Sequence, residues 1–333
     1  MLLSLSLFVL SAAAIYVACE YFVNGIEWTG CHLKLGATAV GTVLAAFGTA
    51  LPESAVTFMA VFFGTTPAGK DIGVGAALGG PLVLATVAYA VVGLSMRHRA
   101  AKGLRSHAVD ADQKRLARDQ AWFMAIFVVK LLLGVLAFSW KPWLGILFLL
   151  AYGIYVWHEL RDDSAGLADD ELDPLKIRPR QERPGLAWAV LQSVAALVVI
   201  VAASHEFVRQ IGAIAVWAGL SPHIAALLLA PVATELPEIM NAVIWVRQGK
   251  ERLALANISG SMMIQATIPS ALAIFMTPWH LDTLLLVSGG ITLLSIAGLW
   301  LGFRRGSVES CTLVRSGGLY LLFVAFGVVY LGG

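Results

Sequence analysis

Apolar positions fill most of the chain in long runs, and polar positions collect in short intervals between them. Runs of about twenty apolar residues, the length a helix needs to cross hydrocarbon, can be laid down ten times. They cover roughly 2–24, 35–63, 72–95, 120–139, 142–159, 185–208, 221–246, 252–276, 281–302 and 312–331. The pattern predicts an all-α polytopic membrane protein with ten transmembrane helices.

Two of these runs are interrupted in the same way. "FGTALPESAV" places Thr49, Pro52 and Glu53 in the order in which "VATELPEIMN" places Thr234, Pro237 and Glu238. Proline has no amide hydrogen, so Pro52 and Pro237 deprive the carbonyls of Gly48 and Ala233 of their helical donors and predict breaks there. Within hydrocarbon, a break survives only where the released backbone is buried in protein or lines a polar cavity. Glutamate at that depth marks an ion or substrate path. Two broken helices, each offering a carboxylate, a hydroxyl and loose carbonyls, make a cation-binding cage the expected site.

The interruptions belong to a longer repeat. "ACEYFVNG" and "ASHEFVRQ" align Glu20 with Glu206 ahead of the two breaks. A small-residue helix follows each, "GVGAALGGPLVLATVA" from Gly73 and "LALANISGSMMIQATI" from Leu253. Halves of five spans each, an odd number, insert in opposite directions, which predicts two inverted five-helix repeats with discontinuous helices 2 and 7. The boundaries are 1–160 for the first repeat, 161–184 for a cytoplasmic linker and 185–333 for the second repeat.

Composition agrees, with 59% apolar and 13% charged residues among 333, far from the soluble norm. Charge distribution adds orientation. With the N-terminus outside, nineteen of the 23 Lys and Arg fall in inward connections, against Lys70, Lys141 and Arg209 outside and Lys130 within a span. The positive-inside rule then puts both termini outside, in the inner (plasma) membrane of a prokaryote. The apolar start has no preceding Lys or Arg and reads as the first span, not a signal peptide.

Other features read as structural. Cys19, Cys31 and Cys311 are too scattered for a disulfide framework or a metal knuckle. The basic stretch 97–120 reads as a cytoplasmic loop, not a nucleic-acid patch, and the acidic-then-basic linker reads as solvated. "GTTPAGKD" (64–71) lacks the final Ser or Thr of a phosphate loop and follows no strand. "SHEFVR" lacks the second His of a zinc helix. Glu20, Glu206, Asn241 and Asn257 are assigned to structural contacts, and Gly73, Gly75, Gly79 and Gly80 to close helix packing. Lys130 has two readings: a partner of Glu20, Glu206 or the central carboxylates that stands in for a bound cation, or a lysine facing a wet crevice or marking a misplaced span boundary.

The two breaks resemble the "GTSLPE" signature of the sodium/calcium exchanger superfamily, in which each of two inverted five-helix repeats carries one copy. "YFVNGIEWTGCHLKLGATAVGTVLAAFGTALPE" is similar to the family's lead-in, and "LALANISGS" to its later "LALGNxxGSN". The resemblance covers roughly 19–95 and 204–275. It implies a calcium/cation antiporter working by alternating access, without catalysis or a cofactor, carrying Ca²⁺ in exchange for Na⁺ or H⁺. Its partners would be the lipid bilayer and inorganic cations, and a monomer suffices for such a mechanism. Glu53 and Glu238 would be the central ligands, with Thr49 and Thr234 supplying hydroxyl or carbonyl oxygen. On the neighbouring helices the family places Ser and, four residues on, Asn or Asp. Here Ser261 and Gln265 hold those positions in one half, and Gly80 and Leu84 in the other. The signature Ser is replaced by Ala50 and Glu235, and Glu235 would restore negative charge to the second copy.

Overall fold

The computed structural model describes residues 2–36, 39–50, 67–101, 111–162, 172–217, 230–306 and 308–332. Ten helical stretches run through them. They are α1 (Leu2–His32), α2 (Val40–Ala50), α3 (Pro67–Ala101), α4 (Gln113–Val135), α5 (Lys141–Asp162), α6 (Leu186–Trp217), α7 (Ala230–Gln248), α8 (Glu251–Met276), α9 (Thr283–Arg305) and α10 (Ser310–Gly332). The fold is the expected all-α bundle of two inverted five-helix repeats. Seven of these helices, all except α2, α4 and α7, are individually long and apolar enough to cross a membrane. The exceptions have local causes. Helix α4 opens on the charged "QKRLARDQ", α7 is broken, and α2 is described only as far as Ala50.

Burial sorts the helices into two layers. In α3 and α8, 78% and 83% of the apolar stretch is buried, against 22% in α1, α5 and α10. The outer helices turn Val17, Val129, Leu147, Val198 and Leu321 outward, as lipid-facing surfaces do, while α3 and α8 form the interior. Helices α1 and α6, of 31 and 32 residues, run about 46–48 Å at 1.5 Å per residue and make the most extensive helix–helix contact among the described residues.

Helix α2 lies against α8 at close quarters. A Cβ on Gly260 would fall on the backbone of Thr42, so glycine is what lets the two backbones touch there. One turn further on, Ala46 and Ala50 pack on Ile264. The same α8 surface therefore carries the helix that bears Thr49.

One expectation is corrected. The α7 break falls at Glu235 (φ −84°, ψ 3°), between Ala230–Thr234 and Leu236–Gln248. Pro237 sits in the first turn of the second segment, where a missing N–H costs little, so the interruption begins two residues earlier than proline alone indicates. Most described residues of the linker are exposed, and a few contacts anchor it. Leu175 is buried with Trp28 and Ala189. The Asp173 carbonyl accepts from Asn24 Nδ2 (3.2 Å) and Trp28 Nε1 (2.9 Å), and the Ile177 amide donates to Gln192 Oε1 (3.0 Å). Arginines in the described ends of the basic stretch, 97–101 and 111–120, also bind neighbouring helices. Arg99 bonds the Val246 carbonyl (2.6 Å) and pairs with Glu251 (3.3 Å), while Arg115 and Arg118 bind Glu159 at 2.8 and 2.9 Å.

Candidate functional site

The interior polar cluster is built from one face each of α7 and α8. Glu235, Glu238 and Asn241 recur every three residues and so share a side of α7. Asn257, Ser261 and Gln265 recur every four and share a side of α8. All six are at most 1% exposed.

The two faces meet in antiparallel register. Gln265 Nε2 donates to both oxygens of Glu235, at 2.8 and 2.9 Å. Two turns back along α8, Asn257 Nδ2 donates to the backbone carbonyl of Glu238 at 3.5 Å. Ser261 lies between these two residues along α8.

The chemistry of the cluster is one-sided. Buried polar atoms are ordinarily hydrogen-bonded. Among the described residues, Ser261 Oγ, Gln265 Oε1, Asn257 Oδ1 and both polar side-chain atoms of Asn241 nevertheless find no hydrogen-bond partner. Four of those five atoms are oxygens. Oxygens gathered beside two carboxylates, away from water, are what a hard cation replaces its hydration shell with. Calcium takes six to eight oxygens at about 2.3–2.6 Å, and the amides, the hydroxyl, Glu238 and loose carbonyls at the break offer enough.

Gly80 of α3 closes the cluster on a third side. A Cβ there would overlap Gln265 Oε1 and come within 2.7 Å of Glu235 Oε1. The absent side chain is thus the space that the Glu235–Gln265 pair fills. Leu84 is fully buried and begins a π-helical stretch (Leu84–Ala88). Neither residue brings an oxygen side chain, and the polar pair from α7 and α8 takes up the room.

The remaining expected ligands fall as follows. Thr49 is 2% exposed and donates to its own turn, Oγ1 to the Ala45 carbonyl at 3.1 Å, which leaves its oxygen able to accept. Thr234 is half-buried and donates to the Pro231 carbonyl at 3.1 Å. Glu53 and Pro52 lie outside the described residues. Cys19 of α1 reaches the cluster's edge, its thiol directed at the Pro237 carbonyl at 3.8 Å.

Some assignments change. Asn241 and Asn257 belong to the polar cluster, whereas the sequence assigns them to helix contacts. Their positions one turn from Glu238 and from Ser261 were the available signal. Lys130 does not meet Glu20 or Glu206. Glu20 pairs with Lys176 (3.2 Å), and Glu206 with Arg209 (3.0 Å) and Gln210 (2.5 Å). Lys130 instead donates to the Ala77 carbonyl. Of the α3 glycines, Gly79 packs on Pro231, Gly80 faces the cluster, and Gly75 has open space around its Cα.

Comparison with known proteins places this architecture. A family model described as "Sodium/calcium exchanger protein" matches residues 3–161 and 188–331. Among curated relatives, an uncharacterized membrane protein of Methanocaldococcus jannaschii is 22% identical over 281 residues, 84% of each chain. The inner membrane protein YrbG of Escherichia coli K12 is 25% identical over 248 residues, 74% of this chain and 71% of its own. Among solved structures, the sodium-calcium exchanger NCX_Mj soaked with 2.5 mM Na⁺ and 0.1 mM Ca²⁺ superposes with a TM-score of 0.77 at 19% identity, covering 98% of both chains. The same exchanger soaked with zero Na⁺ and Ca²⁺ gives 0.72 at 18% identity, over 98% of this chain and 99% of its own.

Proposed function

The chain belongs to the sodium/calcium exchanger family, and from that premise we propose that it exports Ca²⁺ in exchange for Na⁺ or H⁺. The two repeats, 1–160 and 185–333, would rock about a shared site and expose it to one side at a time. Glu238 and Glu53 are the central ligands in this reading. Ser261, Asn257, Asn241 and Gln265 complete the shell with neutral oxygens, and Thr49 and Thr234 contribute from the two breaks. Glu235 supplies charge and holds Gln265 in place. Both termini lie outside, as the distribution of basic residues requires.

The observation that carries this reading is the set of buried oxygens, on Ser261, Gln265, Asn257 and Asn241, that have no donor and converge with two glutamates at a broken helix. An interior built only for packing pairs such atoms or replaces them with apolar groups. A cation bound beside Glu238 would satisfy the oxygens within its reach.

The test is calcium-45 uptake into proteoliposomes under an imposed sodium or proton gradient. Gradient-driven uptake by wild type that disappears in Glu238→Gln is the expected result. Undiminished uptake in a Glu53→Gln/Glu238→Gln double variant would remove the proposal. Uptake of manganese in preference to calcium would assign the site to a different divalent ion.

A further inference from the structure

Lys130 is fully buried, yet it forms no ion pair with a described carboxylate. Its ammonium donates to the Ala77 carbonyl of α3 at 2.6 Å and lies 5.0 Å from the centre of the Phe127 ring and 5.9 Å from that of Trp279. Among the described residues, α8, α9 and α5 offer it no acid along their buried length. On α8, Glu251 stands at the far start of the helix and is engaged with Arg99. On α9, Asp282 is exposed and caps the Leu285 amide at 2.8 Å. On α5, Glu159 is held by Arg115 and Arg118. Lys141 caps the end of α4 through the Leu133 and Leu136 carbonyls and adds positive charge at the same end.

The carbonyl that Lys130 has found is a particular one. Pro81 lies inside α3, four residues after Ala77, and has no N–H, so the Ala77 oxygen is the one deprived of its helical donor. The same event occurs in α8, where Pro269 releases the Gln265 carbonyl. There the Ser270 hydroxyl answers it at 3.2 Å. A neutral hydroxyl is therefore sufficient to cap such an oxygen. A buried charge, which is far costlier to desolvate, is explained by its charge.

Position points the same way. Ala77 precedes Gly80 by one turn, about 4.5 Å of helix rise, and Gly80 touches the Glu235–Gln265 pair. At Gly80 and Leu84, α3 brings no oxygen side chain to the cluster, and one turn away it receives the Lys130 side chain. We propose that Lys130 is a tethered monovalent cation, occupying a released carbonyl with aromatic faces on two sides and taking the place of one mobile coupling cation. The inference rests on reading the α7–α8 cluster as a cation site, and it says which ion that site forgoes.

The experiment is an equilibrium sodium titration of the purified, detergent-solubilised full-length protein, followed by thermal stability, for wild type, Lys130→Gln and Lys130→Arg. Removing the charge should open the position to sodium. Lys130→Gln should show apparent sodium affinity raised at least about tenfold and a steeper, higher-order response, while Lys130→Arg follows wild type. A Lys130→Gln curve that superimposes on wild type would overturn the proposal. If Lys130→Gln does not fold, Lys130→Gln/Pro81→Ala carries the same test, because residue 81 regains an amide for the Ala77 carbonyl. A calcium titration of wild type in the same series separates the two ideas. No calcium response with a sodium gain in Lys130→Gln would sink the calcium reading and keep the tethered cation.

Discussion

Glu159 and Glu238 are both 1% exposed carboxylates, and their surroundings are opposite. Glu159, near the end of α5, is met by donors. Arg115 binds it at 2.8 Å, Arg118 at 2.9 Å and the Thr42 hydroxyl at 3.2 Å, and Arg115 also takes its backbone carbonyl at 3.1 Å. Glu238, at the α7 break, shares the facing sides of α7 and α8 with the Ser261, Asn241 and Asn257 oxygens, for which the described residues supply no donor. A carboxylate held by two guanidinium groups is already neutralised and ties helices together. One set among donorless oxygens suits a cation. Burial and residue type are the same, so the neighbours decide the role.

The contrast is sharpest in stability. Glu159→Gln leaves two guanidinium groups facing a neutral amide, one of them nearly buried, and breaking a buried pair from one side costs about 3–5 kcal/mol. Thermal unfolding in detergent should show the largest loss of any single substitution here, while calcium still raises the melting temperature of whatever folds. A loss of calcium response without a loss of stability would mean that Glu159 belongs to the cation site. Glu238→Gln should behave in the converse way, with little change in melting temperature without calcium and a calcium response weakened at least about tenfold.

Smaller effects follow within the cluster. Gln265→Ala removes the donor that orients Glu235 and should cost about 1–3 kcal/mol in thermal unfolding. Gly80→Ala pushes a methyl group into the Glu235–Gln265 pair and should cost about 1–3 kcal/mol by overpacking, with a weakened calcium response. Equal stability and calcium response in Gly80→Ala would show that the space beside the pair is not needed. At the bottom of the scale, Lys176→Ala breaks the Glu20 pair, whose partners are 36% and 34% exposed, and removes an ammonium 5.3 Å from the Tyr21 ring centre. It should shift stability by no more than about 1 kcal/mol, and a larger change would credit the anchored linker with more than its surface charge.

Much of this was legible in the sequence, and for identifiable reasons. Apolar run length and the odd number of spans per half are one-dimensional signals, and so are the paired Thr, Pro and Glu. They led to the ten helices, the inverted repeats and the burial of Glu238. The break at Glu235 was misplaced by two residues because a proline is equally at home in the first turn of the helix that follows. The pairing of Glu235 with Gln265 depends on the register between two helices, which no local pattern carries. Asn241 and Asn257 were assigned to ordinary contacts, because an amide in a helix usually finds a backbone partner. Asn257 does so with its nitrogen alone, and its oxygen does not. Lys130 was expected to seek a carboxylate, since charge is visible in a sequence. The carbonyl it met was exposed by a proline on another helix, and only the packing of α3 against α4 discloses that. The docking of Leu175 against Trp28 was hidden for the same reason.

The most direct measurement is a crystal structure of the protein equilibrated with calcium. The account predicts one calcium bound between α7 and α8, with Glu238 and Ser261 oxygens at about 2.3–2.6 Å and the Glu159 cluster unchanged. Calcium bound instead at Glu159, or a calcium-saturated crystal with nothing bound beside Glu238, would contradict it.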